Sequence, residues 1–436
     1  MAAATIHQCH QCAQLRPASF VGPILFWKVR YEREVPHKDA CQMKARHIVH
    51  LSTYPADDIR IFQKACRSEV AEGYEVTQIV CHERDQIVDG VKIRALPPSN
   101  GRLSRMIGLS WKMYREAKRQ NADIYQFHHP DLIPAGLLLK LSGKKVIYDT
   151  RECYPDKILS MRWIPAKLRP MISVTFGSYE RIISEMWDHI LVADRYSSRT
   201  FAGLPISVVP NYPLLTSVEP VPKKQHRKRR LIYVGGLSEE RGLGVMLKIA
   251  ELLRDFDVDL DLMGTCPYPD DERRIRSVPN VRYLGNQNLQ AVYQHVAEAD
   301  LGLLLLQPVP AYAYAGENTL KLFEYMWCGV PVVSSDFPNL RRIIEAAQCG
   351  ICTDPCNAER AAMVIMDLLD HPEMRQEMGT NGRCAVVRAY NWPAASKVLS
   401  QVYKNVLSGK RCSVEALPLW IRNPVESAPC SADGLP

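Results

Sequence analysis

Thr319-Leu320-Lys321-Leu322-Phe323-Glu324-Tyr325-Met326-Trp327-Cys328-Gly329-Val330-Pro331 is the stretch on which the reading of the fold turns. Leu320, Phe323 and Trp327 recur at helical spacing, Gly329 is placed to stop the helix, and Pro331 could not continue it. Residues 301–306 before it and 330–335 after it are continuous apolar runs of strand length. A strand, a helix and a second strand put Lys321 and Glu324 at the start of a helix where a parallel strand has just ended. In open α/β sheets ligands bind at that edge, where free N–H groups face anionic or hydroxyl-bearing groups.

Working outward, Lys321-Leu322-Phe323-Glu324-Tyr325-Met326, Cys328-Gly329-Val330-Pro331-Val332-Val333, Ser335-Asp336 and Pro338 keep a fixed spacing. This pattern resembles the nucleotide-sugar site of retaining glycosyltransferases of family 4, which have two Rossmann-like domains facing across a cleft (the GT-B fold). It is similar to the bacterial surface-polysaccharide and lipopolysaccharide members. The resemblance implies that Glu324 holds the ribose hydroxyls of the donor, and that Asn318, Thr319, Leu320 and Lys321 lie at the donor site. The family's pattern has another glutamate eight residues before Glu324. This chain has Gly316 there, and Glu317 is one residue out of register.

A chain of 436 residues is long enough for two domains with separate cores. A 47% hydrophobic and 23% charged composition excludes wholesale disorder. No apolar run approaches the roughly 20 residues of a membrane-spanning helix, and the apolar run 20–27 contains Pro23 and reads poorly as a secretory signal. Fourteen cysteines without a repeated spacing read as reduced thiols, so the expected location is cytoplasmic. Cys9 and Cys12 have the spacing of half a zinc knuckle, but the second half is missing. Two stretches concentrate the net charge of +8. Lys223 to Arg230 reads as a solvated linker. In 102–119, Leu103, Met106, Ile107, Trp111, Met113 and Tyr114 form an imperfect apolar side among six cations. Core packing accounts for such a helix, and so does contact with an anionic membrane surface.

Residues 47–52, 59–72 and 75–81 read as strand, helix and strand, the opening of a doubly wound domain. The first loop lacks Gly-x-Gly-x-x-Gly but carries Asp57-Asp58-Ile59-Arg60-Ile61-Phe62, which resembles the Asp-x-Arg-Ile-Phe motif of the same polysaccharide enzymes. Asp58 also reads as a helix cap. Strands over 123–128 and 145–149 bring His128, His129 and Asp131 to the same carboxyl edge as Arg151 and Glu152. The resemblance implies that His128 lies beside the transferred sugar. Leu231-Ile232-Tyr233-Val234-Gly235-Gly236 ends a strand in two glycines before Arg241, a phosphate-binding arrangement that resembles the family's diphosphate site. The second glycine is arginine in the family's usual pattern, and the loop from Gly285 resembles the wall of its base pocket. Alternating aspartates over 257–261 read as a half-exposed strand, so no metal site is expected.

The expected organisation is an N-terminal extension (1–46), an acceptor-side domain (47–215) carrying Asp58, Arg60, Asp131, Arg151 and Glu152, a basic linker (216–230), a donor domain (231–387), a helix crossing back (388–408) and a disordered tail (409–436). The chemistry expected is metal-independent transfer of a sugar from a nucleoside-diphosphate sugar to a lipid-linked or polysaccharide acceptor, without a cofactor. His128 and Glu324 stand as the catalytic candidates. A catalytically silent nucleotide- or sugar-binding adaptor is the alternative. Nucleic-acid binding is disfavoured, since the basic run has no interleaved aromatics.

Overall fold

The computed structural model describes residues 45–98, 108–161, 163–215 and 228–413. Cys9 and Cys12, the first part of the basic stretch (Arg102 to Ile107), Lys223 to Arg227 and residues 414–436 lie outside the described residues. Among the described residues are two sheets, both α/β and doubly wound. The first contains β1 (His47–Ser52), β2 (Glu75–Cys81), β3 (Gln86–Val88), β4 (Val91–Leu96), β5 (Ile124–Phe127), β6 (Val146–Thr150), β7 (His189–Val192) and β8 (Ile206–Val208), in the order β3-β4-β2-β1-β5-β6-β7-β8. All its pairings are parallel except the β3–β4 hairpin, which turns through Asp89 and Gly90 at positive φ. The second contains β9 (Arg229–Val234), β10 (Val258–Met263), β11 (Val281–Gly285), β12 (Leu301–Leu304), β13 (Val332–Ser335) and β14 (Gly350–Thr353), all parallel in the order β11-β10-β9-β12-β13-β14.

Strand order reverses between β1 and β5 in one sheet and between β9 and β12 in the other. Crevices outside the carboxyl ends of these strands are the places such sheets offer to ligands. The central strands are buried on both faces, which explains the apolar run of β12, while Ser335 of β13 turns its hydroxyl to the Leu304 and Leu306 carbonyls. Strand β1 is buried throughout and yet contains His47, His50 and Ser52, so its polar groups need partners inside the protein.

Two sequence boundaries move. Arg229 and Arg230 belong to β9 rather than to the linker, in register with Val258 and Asp259 and paired with Asp370 and Glu298. Continuity with the basic run before them hid them, because paired arginines sit at a strand end as readily as in water. The described part of the basic stretch is the helix Ser110–Gln120, whose buried face is Ser110, Met113 and Ala117, while Trp111 is exposed.

Asn391 caps the helix Trp392–Leu407 through Ala394 N–H, and this helix runs back to the first sheet. Trp392 Nε1 donates to Ser68 Oγ at 2.8 Å, Ser400 Oγ to Glu72 at 2.6 Å and Tyr403 Oη to Glu69 at 2.6 Å.

Candidate active site

One wall of the site is built on the end of β9. Gly235 has φ +137°, open to glycine and strained for any other residue, and an added Cβ would stand 2.7 Å from Lys321 Nζ. At Gly236 an added Cβ would stand 3.2 Å from an Arg241 guanidinium nitrogen, so Arg241 fills the space that a side chain at 236 would take. Lys321, in the first turn of the helix Leu320–Trp327, bonds Tyr233 Oη at 2.8 Å and lies over its ring. Arg241 Nε donates to Tyr312 Oη at 3.0 Å. Burial, helped by the neighbouring Arg241 charge, holds Lys321 well below the ordinary lysine range, against the pull of Glu324. Two basic side chains held by tyrosine hydroxyls, beside two glycines, make an anion site.

Glu324 lies one turn further, 8% exposed. Burial pushes its carboxyl up, and Lys64 and Lys321 pull it back. Lys64 comes from the first sheet's side, where its Nζ donates to Asn211 Oδ1 at 2.8 Å, and burial lowers it to about 7 against the charge of Glu324. Sequence reasoning missed Lys64. The available signal was its position four residues after Arg60, on the same helical face.

The facing wall comes from the carboxyl ends of β6 and β7. Arg151 grips Asp58 through both guanidinium nitrogens at 3.0 and 2.5 Å and lies 4.0 Å from the centre of the Tyr54 ring. Asp58 also caps its helix through Arg60 N–H and Ile61 N–H. Burial raises its carboxyl, and Arg151 more than reverses the effect. Glu152 pairs with Lys157. Arg60 bonds Asp149 at 2.9 Å and the Val209 carbonyl at 2.9 Å.

A cleft of about 350 Å³ lies between these walls. The structure brings Arg60, Arg151 and Glu152 together with Arg241, Asn318, Thr319, Leu320 and Lys321 on its lining. At its mouth Tyr196 stacks on Tyr314 from the opposite side, ring centres 4.1 Å apart and nearly parallel.

Seven of the expected site residues, Asp58, His128, Asp131, Gly235, Gly236, Gly285 and Glu324, are not on the cleft lining. His128 is sealed inside the first sheet: its Nε2 lies 2.8 Å from His50 Nδ1 and its Nδ1 2.9 Å from Asp149. With both ring nitrogens engaged it presents no atom to a sugar. Burial lowers its pKa to about 4 despite Asp149. His50 in turn bonds Glu69 at 2.7 Å, and although burial opposes its charge, Cys66 and Glu69 raise it well above the usual histidine value. Asp131 faces His129 and is off the cleft lining. Gly285 also stays off the lining; its carbonyl accepts Gly264 N–H at 2.8 Å, and Gly264 packs against the Gly235 carbonyl.

The out-of-register glutamate has a physical explanation. A Cβ at Gly316 would meet Asn339 Cβ at 2.8 Å, while Glu317 points inward, buried and paired with Arg342. Asn318 faces the cleft in their stead.

Residues 217–384 match the family described as Glycosyl transferases group 1. Over 181 residues the chain is 24% identical to an alpha-D-kanosaminyltransferase from Streptomyces kanamyceticus, covering 40% of this chain and 45% of that protein, so it spans less than half of that relative's length. It is 23% identical to a phosphatidyl-myo-inositol mannosyltransferase from Mycolicibacterium smegmatis, over 74% of this chain and 82% of that one. Among solved structures, the sucrose-phosphate synthase of Thermosynechococcus elongatus superposes with a TM-score of 0.68 at 16% identity, covering 84% of this chain and all of that one.

Proposed function

We propose, from the premise that residues 217–384 are a group 1 glycosyltransferase domain in a GT-B fold, that this protein transfers a sugar with retention from a nucleoside-diphosphate sugar to a lipid-linked sugar or polysaccharide, in cell-surface polysaccharide synthesis. The observation that carries the reading is the pairing of Arg241 and Lys321 over Gly235 and Gly236, with Glu324 one turn beyond.

The proposed chemistry uses these groups in order. The diphosphate sits against Arg241, Lys321 and the N–H groups opening the helix Leu320–Trp327, and Glu324 accepts from the ribose hydroxyls. As the sugar C1–O bond breaks, negative charge grows on the departing diphosphate, and the two cations stabilise it without a metal ion. The acceptor oxygen bonds C1 from the same face, on the side walled by Arg151, Glu152 and Arg60, and its hydroxyl proton passes to the departing diphosphate oxygen. The Tyr196–Tyr314 stack and the narrow cleft keep out water that would otherwise hydrolyse the donor. A lipid-linked acceptor is supported by the similarity to the phosphatidyl-myo-inositol mannosyltransferase. Among the described residues no helix is long and apolar enough to cross a membrane, in keeping with a proposed site at the inner face of the cell membrane.

A second reading, a silent nucleotide-binding adaptor, is favoured by Glu317 turning away from the cleft and by the sealing of His128. A thermal-shift panel of UDP, GDP, ADP and their sugars separates the two, since a ligand bound to the native state raises the melting temperature. The enzyme reading expects one nucleotide to stabilise the wild type, Glu324→Ala to abolish the effect, and the matching sugar nucleotide to be consumed when acceptor is added. Stabilisation without turnover leaves the adaptor, and no stabilisation by any nucleotide removes both.

A further inference from the structure

Six of the large apolar side chains exposed to solvent fall in one short stretch: Trp163, Leu168, Met171, Val174, Tyr179 and Ile182. Most of them lie on the helix Arg169–Ile183, where Met171, Val174 and Ile182 are 61%, 70% and 67% exposed. Exposed apolar residues scattered singly are ordinary, but a run of them on one helix marks a contact surface.

The charges around this surface are one-sided. Between Trp163 and Ile183 the sole carboxylate is Glu180, which is buried and bonded to Tyr148 Oη, while Lys167, Arg169 and Arg181 are the cations, the last paired with Glu185 just beyond the helix. The helix Ser110–Gln120 packs Met113 and Ala117 into the cluster that holds Tyr148 and Trp187, so it shares the layer over that sheet face. It adds an exposed Trp111 with Lys112, Arg115, Lys118 and Arg119 against a single acid, Glu116. An outer layer that is apolar at its centre, carries Trp and Tyr, and is basic around them has the complement of an anionic lipid surface.

This layer is also close to the cleft. The helix Tyr154–Leu159 supplies Asp156 and Lys157 to the cleft lining, and behind it Pro155 accepts a bond from Ser173 Oγ at 2.8 Å. The helix carrying the apolar face thus packs directly on the helix that lines the cleft.

We propose that the helix Arg169–Ile183, with Trp163 and Leu168, is the surface by which the protein lies on an anionic bilayer, and that it brings a membrane-anchored acceptor to the Arg151–Lys157 side of the cleft. The second half of the inference rests on the glycosyltransferase reading, and the first half does not.

The test is flotation of the full chain with phosphatidylcholine vesicles, with and without phosphatidylglycerol. The wild type should float with the anionic vesicles alone, less so at high salt, and V174D/I182D should bind about tenfold more weakly. Both positions are exposed, and an unchanged urea midpoint confirms the fold of the variant. Lys167→Glu with Arg169→Glu should remove the preference for anionic lipid, while Ile87→Asp, on the distant edge strand β3, should float like the wild type. Absence of flotation, or flotation indifferent to V174D/I182D, overturns the proposal. So does a dimer that the double substitution dissolves without any vesicle binding. Nucleotide stabilisation and donor turnover are measured alongside: if both persist without flotation, the membrane surface fails and the enzyme reading stands. Flotation without nucleotide stabilisation gives the reverse.

Discussion

His128 shows how a single residue's surroundings reverse its sequence meaning. A histidine at the carboxyl end of a strand suggests a hand on the substrate, yet His50 and Asp149 occupy both of its nitrogens in the core. The consequence appears as pH dependence. An unfolded histidine takes a proton near pH 6.5, whereas folded His128 stays neutral down to about 4. As pH falls through that window the unfolded chain binds a proton that the folded chain does not, and the fold loses on the order of 3 kcal/mol. His50 has the opposite sign: raised in the fold, it adds stability that is fully present below pH 6.5 and fades as pH rises through its folded value. Urea midpoints at pH 6.5, 5.5 and 4.5 should fall more steeply for the wild type than for His128→Asn. Parallel curves would mean that His128 takes its proton inside the fold.

At the scale of elements, much could be read from the sequence because the local pattern and the packing agree. The helix predicted around Lys321 and Glu324 ends at Gly329 with φ +70°; Phe323 and Trp327 of its expected apolar side are buried, Leu320 lines the cleft instead, and Leu322, Tyr325 and Met326 are buried as well. The hairpin β3–β4 was not read, since its pairing depends on a three-residue edge strand, too short to show a period. The His50–His128–Asp149–Arg60 chain was not readable either, because its members come from four separate segments that only the sheet brings side by side. Caps provide a test of how elements are joined. Asn357 Oδ1 accepts from Arg360 N–H at the surface, whereas Asn391 accepts from Ala394 N–H and donates Nδ2 to the carbonyls of Val386 and Val387, tying two helices together. Asn357→Ala should cost about 1 kcal/mol, and Asn391→Ala about 2–3 kcal/mol, because buried carbonyls also lose their donor. Equal shifts in the chemical-denaturation midpoint would show that Asn391 acts as a cap alone.

The whole molecule is held together by a continuous core. One apolar cluster runs from Ile48 and Ile147 of the first sheet through Val398 and Val402 to Phe323 and Ile344 of the second. Trp392 is central to that path. It is buried, donates its Nε1–H to Ser68 and donates its backbone N–H to the Pro213 carbonyl. A truncated tryptophan in such a place costs about 3–5 kcal/mol, enough to uncouple two cores that otherwise unfold as one. The wild type should therefore show a single calorimetric transition that a bound nucleotide moves as a whole. Trp392→Ala combined with Tyr403→Phe, which also removes the bond to Glu69, should split it in two. Nucleotide should then raise only one of the two, since Arg241, Lys321 and Glu324 all belong to the second sheet's side. A double variant that still melts in one step, shifted by nucleotide throughout, would locate the coupling in the cleft itself, at Lys64 facing Glu324 and Tyr196 stacked on Tyr314, rather than in the returning helix.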